Sequence, residues 1–300
     1  MYNIVTFDGG GVRGILSAIL YKRMAQKHPT FFNQVDLYSG TSTGAILACG
    51  IACGLPTESI ISLYKDRSKF IFTKSFWEKI KSPLSLFSSR YNNNRDVVFT
   101  EIFGKKLLSQ IPSKIVIPTF CISPEDRKNW DSVFYHNFKL TSSGMFNPRY
   151  DSLITEVLMK TSAAPTYFPV YKGYIDGGVV ANNPSMCALS QALNKHTGKS
   201  NLEDIRLVSF GTGYKPKVLN SNVKSSTDWG FLEWGTGLID ILFDGPATST
   251  NYQIQEILGN NYCRVDCLLP EVVGLDEWKK IDKLIEIAET VKLPDTLFSE

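Results

Sequence analysis

Asn3-Ile4-Val5-Thr6-Phe7 runs straight into Asp8-Gly9-Gly10-Gly11-Val12-Arg13-Gly14. The first five residues read as a short buried strand. Val12 to Gln26, with Ile15, Ile19 and Leu20 at helical spacing, reads as a helix. A strand, a glycine-rich turn and a helix therefore open the chain. Two chemistries use such a turn. Gly9, Gly11 and Gly14 satisfy GxGxxG, and Asp36 lies at about the distance expected of a ribose-binding acid, which is the dinucleotide fingerprint. Alternatively, the glycines bare their backbone N–H groups to hold an oxyanion at a helix N-terminus. A tight turn with no ligand is the third reading.

The next unit separates these readings. Gln34 to Tyr38 looks like a second strand and Thr43 to Cys53 like a second helix, and Gly40-Thr41-Ser42-Thr43-Gly44 joins them. This is G-x-S-x-G in the strand–turn–helix setting that its mechanics require. A sharp turn holds the serine in a strained conformation, and the flanking Gly40 and Gly44 relieve the crowding. The helix dipole then favours negative charge developing near the hydroxyl. A dinucleotide fold has no use for this element, so the first loop reads as an oxyanion receptor and Ser42 as a nucleophile.

A nucleophilic serine needs a base. Only His28, His136 and His196 are available. His28 precedes a proline after a helix, His136 sits in an alternating strand, and His196 closes a helix where a cation suits the dipole. A carboxylate can serve instead. Asp176-Gly177-Gly178 follows the short apolar segment Tyr171 to Ile175, and the glycines let an aspartate approach closely. An ordinary Asp, with a pKa of about 4, is a weak base, so desolvation or hydrogen bonding has to tune it. A plain Asp-Gly turn is the alternative.

Along the rest of the chain, helices are expected at Thr57 to Lys65, capped by Thr57, at Asp151 to Thr161, and at Pro184 to Lys195, with Pro184 in the first position. Strands are expected at Ile115 to Ile122, Ser132 to Phe138 and Ile205 to Phe210. Lys74 to Asn94 is aperiodic and reads as a long loop. Repeated strand–helix alternation implies an α/β sheet layered by helices, in one domain. Net charge is only +3, with the basic residues in scattered pairs, so nothing calls for nucleic acid. The six cysteines lack neighbouring histidines that would complete a zinc set and read as free thiols. No signal peptide or membrane span is visible, so a cytoplasmic location is expected, with leaderless export left open.

Together DGGGVRG (8–14), GTSTG (40–44), TSAAPTYFP (161–169) and DGGVVANNP (176–184) resemble the patatin-like phospholipase family. SFGTG (209–213), WGFLEW (229–234) and a C-terminal helix at about 275–292 fit as well, so the resemblance spans nearly the whole of 1–300. It implies a three-layer α/β/α sandwich, a variant of the α/β-hydrolase type. It implies a Ser42–Asp176 dyad without histidine. It also implies an oxyanion hole from Gly9, Gly10 and Gly11 that Arg13 helps to hold. No metal or organic cofactor is implied. The substrates would be phospholipids or related acyl lipids, met at a membrane surface that the protein visits peripherally. A protein or nucleotide activator is compatible with the resemblance. The family also contains storage proteins, so a catalytically idle storage or lipid-binding role is the alternative.

Two segments are candidates for contact with lipid. Trp229 to Phe243 is rich in aromatic and aliphatic residues and fits either core packing or an acyl channel. Lys69 to Phe87 mixes aromatics with lysines, as a lid or interfacial surface would, or forms an ordinary surface loop.

Overall fold

In the chain's computed structural model, residues 1–73, 89–123, 129–140, 142–147, 150–216 and 237–298 are described. The strands are β1 (Tyr2–Phe7), β2 (Leu37–Gly40), β3 (Lys114–Cys121), β4 (Asp131–His136), β5 (Tyr174–Ile175), β6 (Ile205–Phe210) and β7 (Tyr262–Val265). The α-helices are α1 (Gly14–Lys27), α2 (Pro29–Phe32), α3 (Thr43–Ala52), α4 (Thr57–Ile71), α5 (Arg95–Phe103), α6 (Ile154–Thr161), α7 (Gly178–Ala181), α8 (Ser185–Leu193), α9 (Gly237–Leu258) and α10 (Ile281–Thr290). The sheet order is β4-β3-β2-β1-β6-β7, with β5 also pairing to β3. β3, β2, β1, β6 and β7 are parallel, and β4 and β5 run antiparallel to β3.

The central strands are apolar on both faces because helices cover both. Val5, Phe7, Tyr38, Ile115, Ile117, Val208 and Phe210 point into a large core shared with α1, α3 and α10. Ile4, Leu37, Val116, Leu207 and Ile205 point the other way, onto Ala188, Leu189 and Ala192 of α8 and Ile254 and Leu258 of α9. The strict alternation of residues between the two cores is the period-2 signature of a strand. It defines the three layers of an α/β/α sandwich. Phe7, Tyr21, Phe32 and Phe210 pack ring to ring at centroid distances of 5.3–6.2 Å and fix α1 to the centre of the sheet.

One detail of the sheet builds the site. β2 pairs with β3 only at Lys114 to Val116, because β2 ends at the elbow. β4 occupies the other side of β3 from Val116 to Cys121, so β5, pairing at Phe120 and Cys121, lies on the same side as β2. β2 and β5 run toward each other along one edge of β3. Their ends meet in the gap between them. Ser42 follows β2, and Asp176 follows β5.

Several local expectations need correction. The second strand is Leu37–Gly40, later than Gln34 to Tyr38, and it feeds straight into the elbow. α4 runs on to Ile71, and its N-cap is Pro56, with no side-chain cap from Thr57. Pro184 occupies the N-cap of α8, one position before the first. The C-terminal helix is shorter than 275–292: a 3-10 turn at Trp278–Lys280 leads into α10. α5 and β7 had no counterpart in the sequence reading. Of Lys74 to Asn94 and Lys69 to Phe87, residues 74–88 lie outside the described residues, as does WGFLEW.

Candidate active site

Ser42 has φ 53° and ψ −120°, a conformation that L-residues adopt only when the surroundings impose it. The surroundings here are two close backbone approaches. A side chain on Gly44 would collide with the Phe7 carbonyl, and one on Gly40 with the Gly44 carbonyl. Ser42 is the N-cap of α3, yet its side chain makes no cap bond. Instead Ser42 Oγ donates to Asp176 Oδ2 at 2.7 Å.

Asp176 is 1% exposed. Its Oδ1 accepts the Gly178 N–H at 2.7 Å. No described cation lies within ion-pair reach of it. Burial pushes its carboxyl up to about 6, against the lowering effects of the Gly178 and Ser42 hydrogen bonds and of the Arg95 charge. The turn at the end of α6 ties the two side chains together. Thr161 Oγ1 accepts the Ser42 N–H at 3.1 Å and donates to the Pro118 carbonyl at 2.7 Å. The carbonyls of Thr161 and Ala163 accept the N–H groups of Gly177 and Asp176 at 3.1 and 3.0 Å.

The glycine loop borders the same cleft. Gly9 N–H donates to the Asn182 carbonyl at 3.0 Å, so Gly9 anchors the loop and its donor is already occupied. Among the described residues, the N–H groups of Gly10 and Gly11 have no acceptor. Arg13 holds the turn from below: its backbone N–H and Nε both reach the Gly10 carbonyl, at 3.2 and 3.3 Å. Gly11 has φ +59°, and a Cβ there would strike the Leu275 carbonyl, which also accepts the Val12 N–H at 2.9 Å. At the base of the loop, Asp8 receives a two-pronged bond from Arg264 at 3.0 and 2.6 Å.

Gly10, Gly11, Ser42, Thr43 and Asp176 share a cleft whose other walls are largely apolar, including Ile46, Leu63, Ile71, Phe72, Phe99, Phe168 and Phe243. It is narrow, with about 70 Å³ open to the centre of a water-sized molecule. Of the described residues in Trp229 to Phe243, Phe243 lines the cleft, whereas Leu238, Ile241 and Leu242 are exposed. None of the three histidines lines the cleft. His136 is buried, and burial lowers it to about 4. Cleft groups that were not singled out in the sequence are Arg95, Leu275 and Asn182, the last lying within DGGVVANNP (176–184). All six cysteines are free. Among the described residues, no group of three or more His, Cys, Asp or Glu side chains could hold a metal.

A glycine turn, a strained serine at a strand–helix elbow and helices on both faces of a mixed sheet define an α/β fold of the patatin-like type. The sequence profile described as Patatin-like phospholipase matches residues 5–189, and the chain belongs to that family. Among similar proteins, Protein teg of Priestia megaterium is 26% identical over 97% of this chain and 95% of its own length. A cGAMP-activated phospholipase of Pseudomonas aeruginosa is 25% identical over 88% of this chain and 78% of its own. Among solved structures, VipD from Legionella pneumophila overlaps with a TM-score of 0.41 and 10% identity, covering 96% of this chain and 67% of that one.

Proposed function

We propose that the chain is a lipid acyl hydrolase of the phospholipase A or lysophospholipase type, folded as one catalytic unit over residues 1–300. Ser42 is the nucleophile and Asp176 its base. The N–H groups of Gly10 and Gly11 form the oxyanion hole, and Gly9 and Arg13 hold its shape. The observation that carries this reading is the 2.7 Å bond from a strained Ser42 hydroxyl to a buried carboxylate with no ion-pair partner among the described residues, inside a largely apolar cleft.

Asp176 takes the Ser42 proton as Oγ attacks the ester carbonyl. The carbonyl oxygen becomes an oxyanion facing Gly10 and Gly11 at the N-terminus of α3, where each donor is worth about two to three orders of magnitude. Asp176 returns the proton to the leaving alcohol or lysolipid as the C–O bond breaks. Water, deprotonated by Asp176, then attacks the acyl-serine and releases the fatty acid, and the proton passes back to Ser42. The apolar walls suit an acyl chain. The exposed Leu238, Ile241 and Leu242 beside Phe243 suit transient contact with a bilayer. The name of the Pseudomonas relative supports the phospholipase assignment and makes activation by a nucleotide or a partner protein reasonable to test.

The test is fatty-acid release from mixed phospholipid micelles in EDTA, comparing wild type with Ser42→Ala and Asp176→Asn. Release by wild type and none by either variant is expected. Equal release by wild type and Ser42→Ala would end the proposal. A silent wild type, with or without cyclic dinucleotide, and no fluorophosphonate labelling would favour an idle lipid-binding role.

A further inference from the structure

Arg95 is the single cation among the described residues that line the cleft, and it is 2% exposed. Its setting is unfavourable in three ways. It is desolvated. It occupies the first turn of α5, where the helix dipole disfavours positive charge. Its Nε has no hydrogen-bond partner, and no described carboxylate lies within ion-pair distance. A guanidinium buried without a contacting carboxylate is destabilising as a class, because its lost hydration is not offset by a paired charge. Such a cost beside reacting groups is the kind of departure that function accounts for.

Its contacts point to that function. Nη1 donates to the Ser162 carbonyl, and also to Ser162 Oγ at 2.7 Å, while Nη2 reaches Asn93 Oδ1 at 3.2 Å. The guanidinium lies 3.8 Å from the centre of the Phe168 ring. Ser162 is the middle residue of the turn whose neighbours, Thr161 and Ala163, hold the backbones of Ser42, Gly177 and Asp176. All of the guanidinium's partners are therefore neutral, and the positive charge is left uncancelled by contact.

The geometry points to Arg95 as a positioning residue: it clamps the 161–163 turn that joins Ser42 to Asp176, and its uncancelled charge in the same cleft favours the ionised form of the Asp176 carboxylate. This inference rests on the Ser42–Asp176 reading above. Among carboxylates, Asp176 acts most strongly on Arg95; exposed Asp96, beside it on α5, and half-buried Tyr171 act less. Burial pulls Arg95 down to about 9, so it is charged at neutral pH. Facing Asp176 are the Ser42 hydroxyl, the Gly178 N–H and the Arg95 charge.

The experiment is the pH profile of kcat/KM on a neutral p-nitrophenyl ester, which offers Arg95 no substrate charge to bind. Wild type, Arg95→Gln, Arg95→Lys and Ser162→Ala are compared, with folding checked by circular dichroism. In Arg95→Gln the acid limb should move up by on the order of one pH unit. On top of the even loss from the weakened clamp, the deficit should grow by about tenfold toward low pH, and this added part should disappear at alkaline pH. Arg95→Lys and Ser162→Ala keep the charge and weaken the clamp, so they should lose activity evenly at all pH with the limb unmoved. If Arg95→Gln does not fold, Arg95→Met carries the same prediction. An unmoved limb in the neutral variants overturns the inference, as does a limb that moves equally in Arg95→Lys. An unmoved limb with a raised KM for phospholipids alone would assign Arg95 to the substrate's anion instead. A wild-type profile with no acid limb would bring down the dyad reading as well, whereas a wild-type limb that Arg95→Gln leaves in place removes only this inference.

Discussion

Asp8 and Asp176 are both almost fully buried, both follow a strand, and burial pushes both up to about 6. Their partners differ. Asp8 meets Arg264 through two bonds, and Arg264 also contacts Asp266 at 2.8 Å and Ser209 at 2.8 Å. Against the downward pull of burial, Asp8 and Asp266 hold that guanidinium charged. Asp176 has a serine hydroxyl, one backbone N–H and only a non-contacting cation. Burial alone therefore does not mark a chemical carboxylate. A neutralised aspartate ties the glycine loop to β7. A carboxylate facing a hydroxyl that can give up its proton has the geometry of the base proposed above.

The largest effect that separates the two is on rate. Asp176→Asn and Ser42→Ala should each lower esterase kcat/KM by about a thousandfold or more while leaving a folded protein, as rate assays and circular dichroism would show. Asp8→Asn should do the reverse. It leaves Arg264 to Asp266 and Ser209 alone, and denaturant unfolding should report a loss of about 1.5–3 kcal/mol.

A subtler contrast lies in stability at different pH. The folded-state value of Asp176 lies above the ordinary 3.8, so stability is fullest below about pH 4 and falls as pH rises through about 6. Asp176→Asn should therefore raise the melting temperature near neutral pH, by an amount equivalent to at most about 3 kcal/mol, and the gain should vanish toward pH 4. A variant less stable than wild type at pH 8 would contradict the desolvated base. Smaller again, Gly11→Ala should cost about a hundredfold in kcat. Its side chain would drive the loop off the Leu275 carbonyl and displace one of the two N–H groups proposed as oxyanion donors.

What could be read in the sequence was what is local. GTSTG and DGGVVANNP carry their geometry in consecutive residues, so Ser42 and Asp176 could be singled out without a fold. The alternation of short apolar strands with helices pointed to a helix-layered α/β sheet for the same reason, and the three-layer form came from the family resemblance. Their meeting depends on β2 and β5 sharing one edge of β3, a pairing between distant segments that no local pattern encodes. Arg95 was invisible because it directly follows the stretch Lys74 to Asn94, which reads as a loop, and only the folded chain buries it. β7 is four residues long and follows α9, too short to announce itself. The occupied Gly9 donor is likewise set by Asn182, far along the chain.

The central claim is that Asp176 activates Ser42, and the most direct test is the rate of Ser42 phosphonylation by a fluorophosphonate, followed by intact mass from pH 4.5 to 9. Wild type should be labelled at one site, lost in Ser42→Ala, with a rate that falls below about pH 6, and Asp176→Asn should be slower by about a thousandfold at neutral pH. Labelling of Asp176→Asn as fast as wild type would show that the serine needs no help from this carboxylate, and the account would fail.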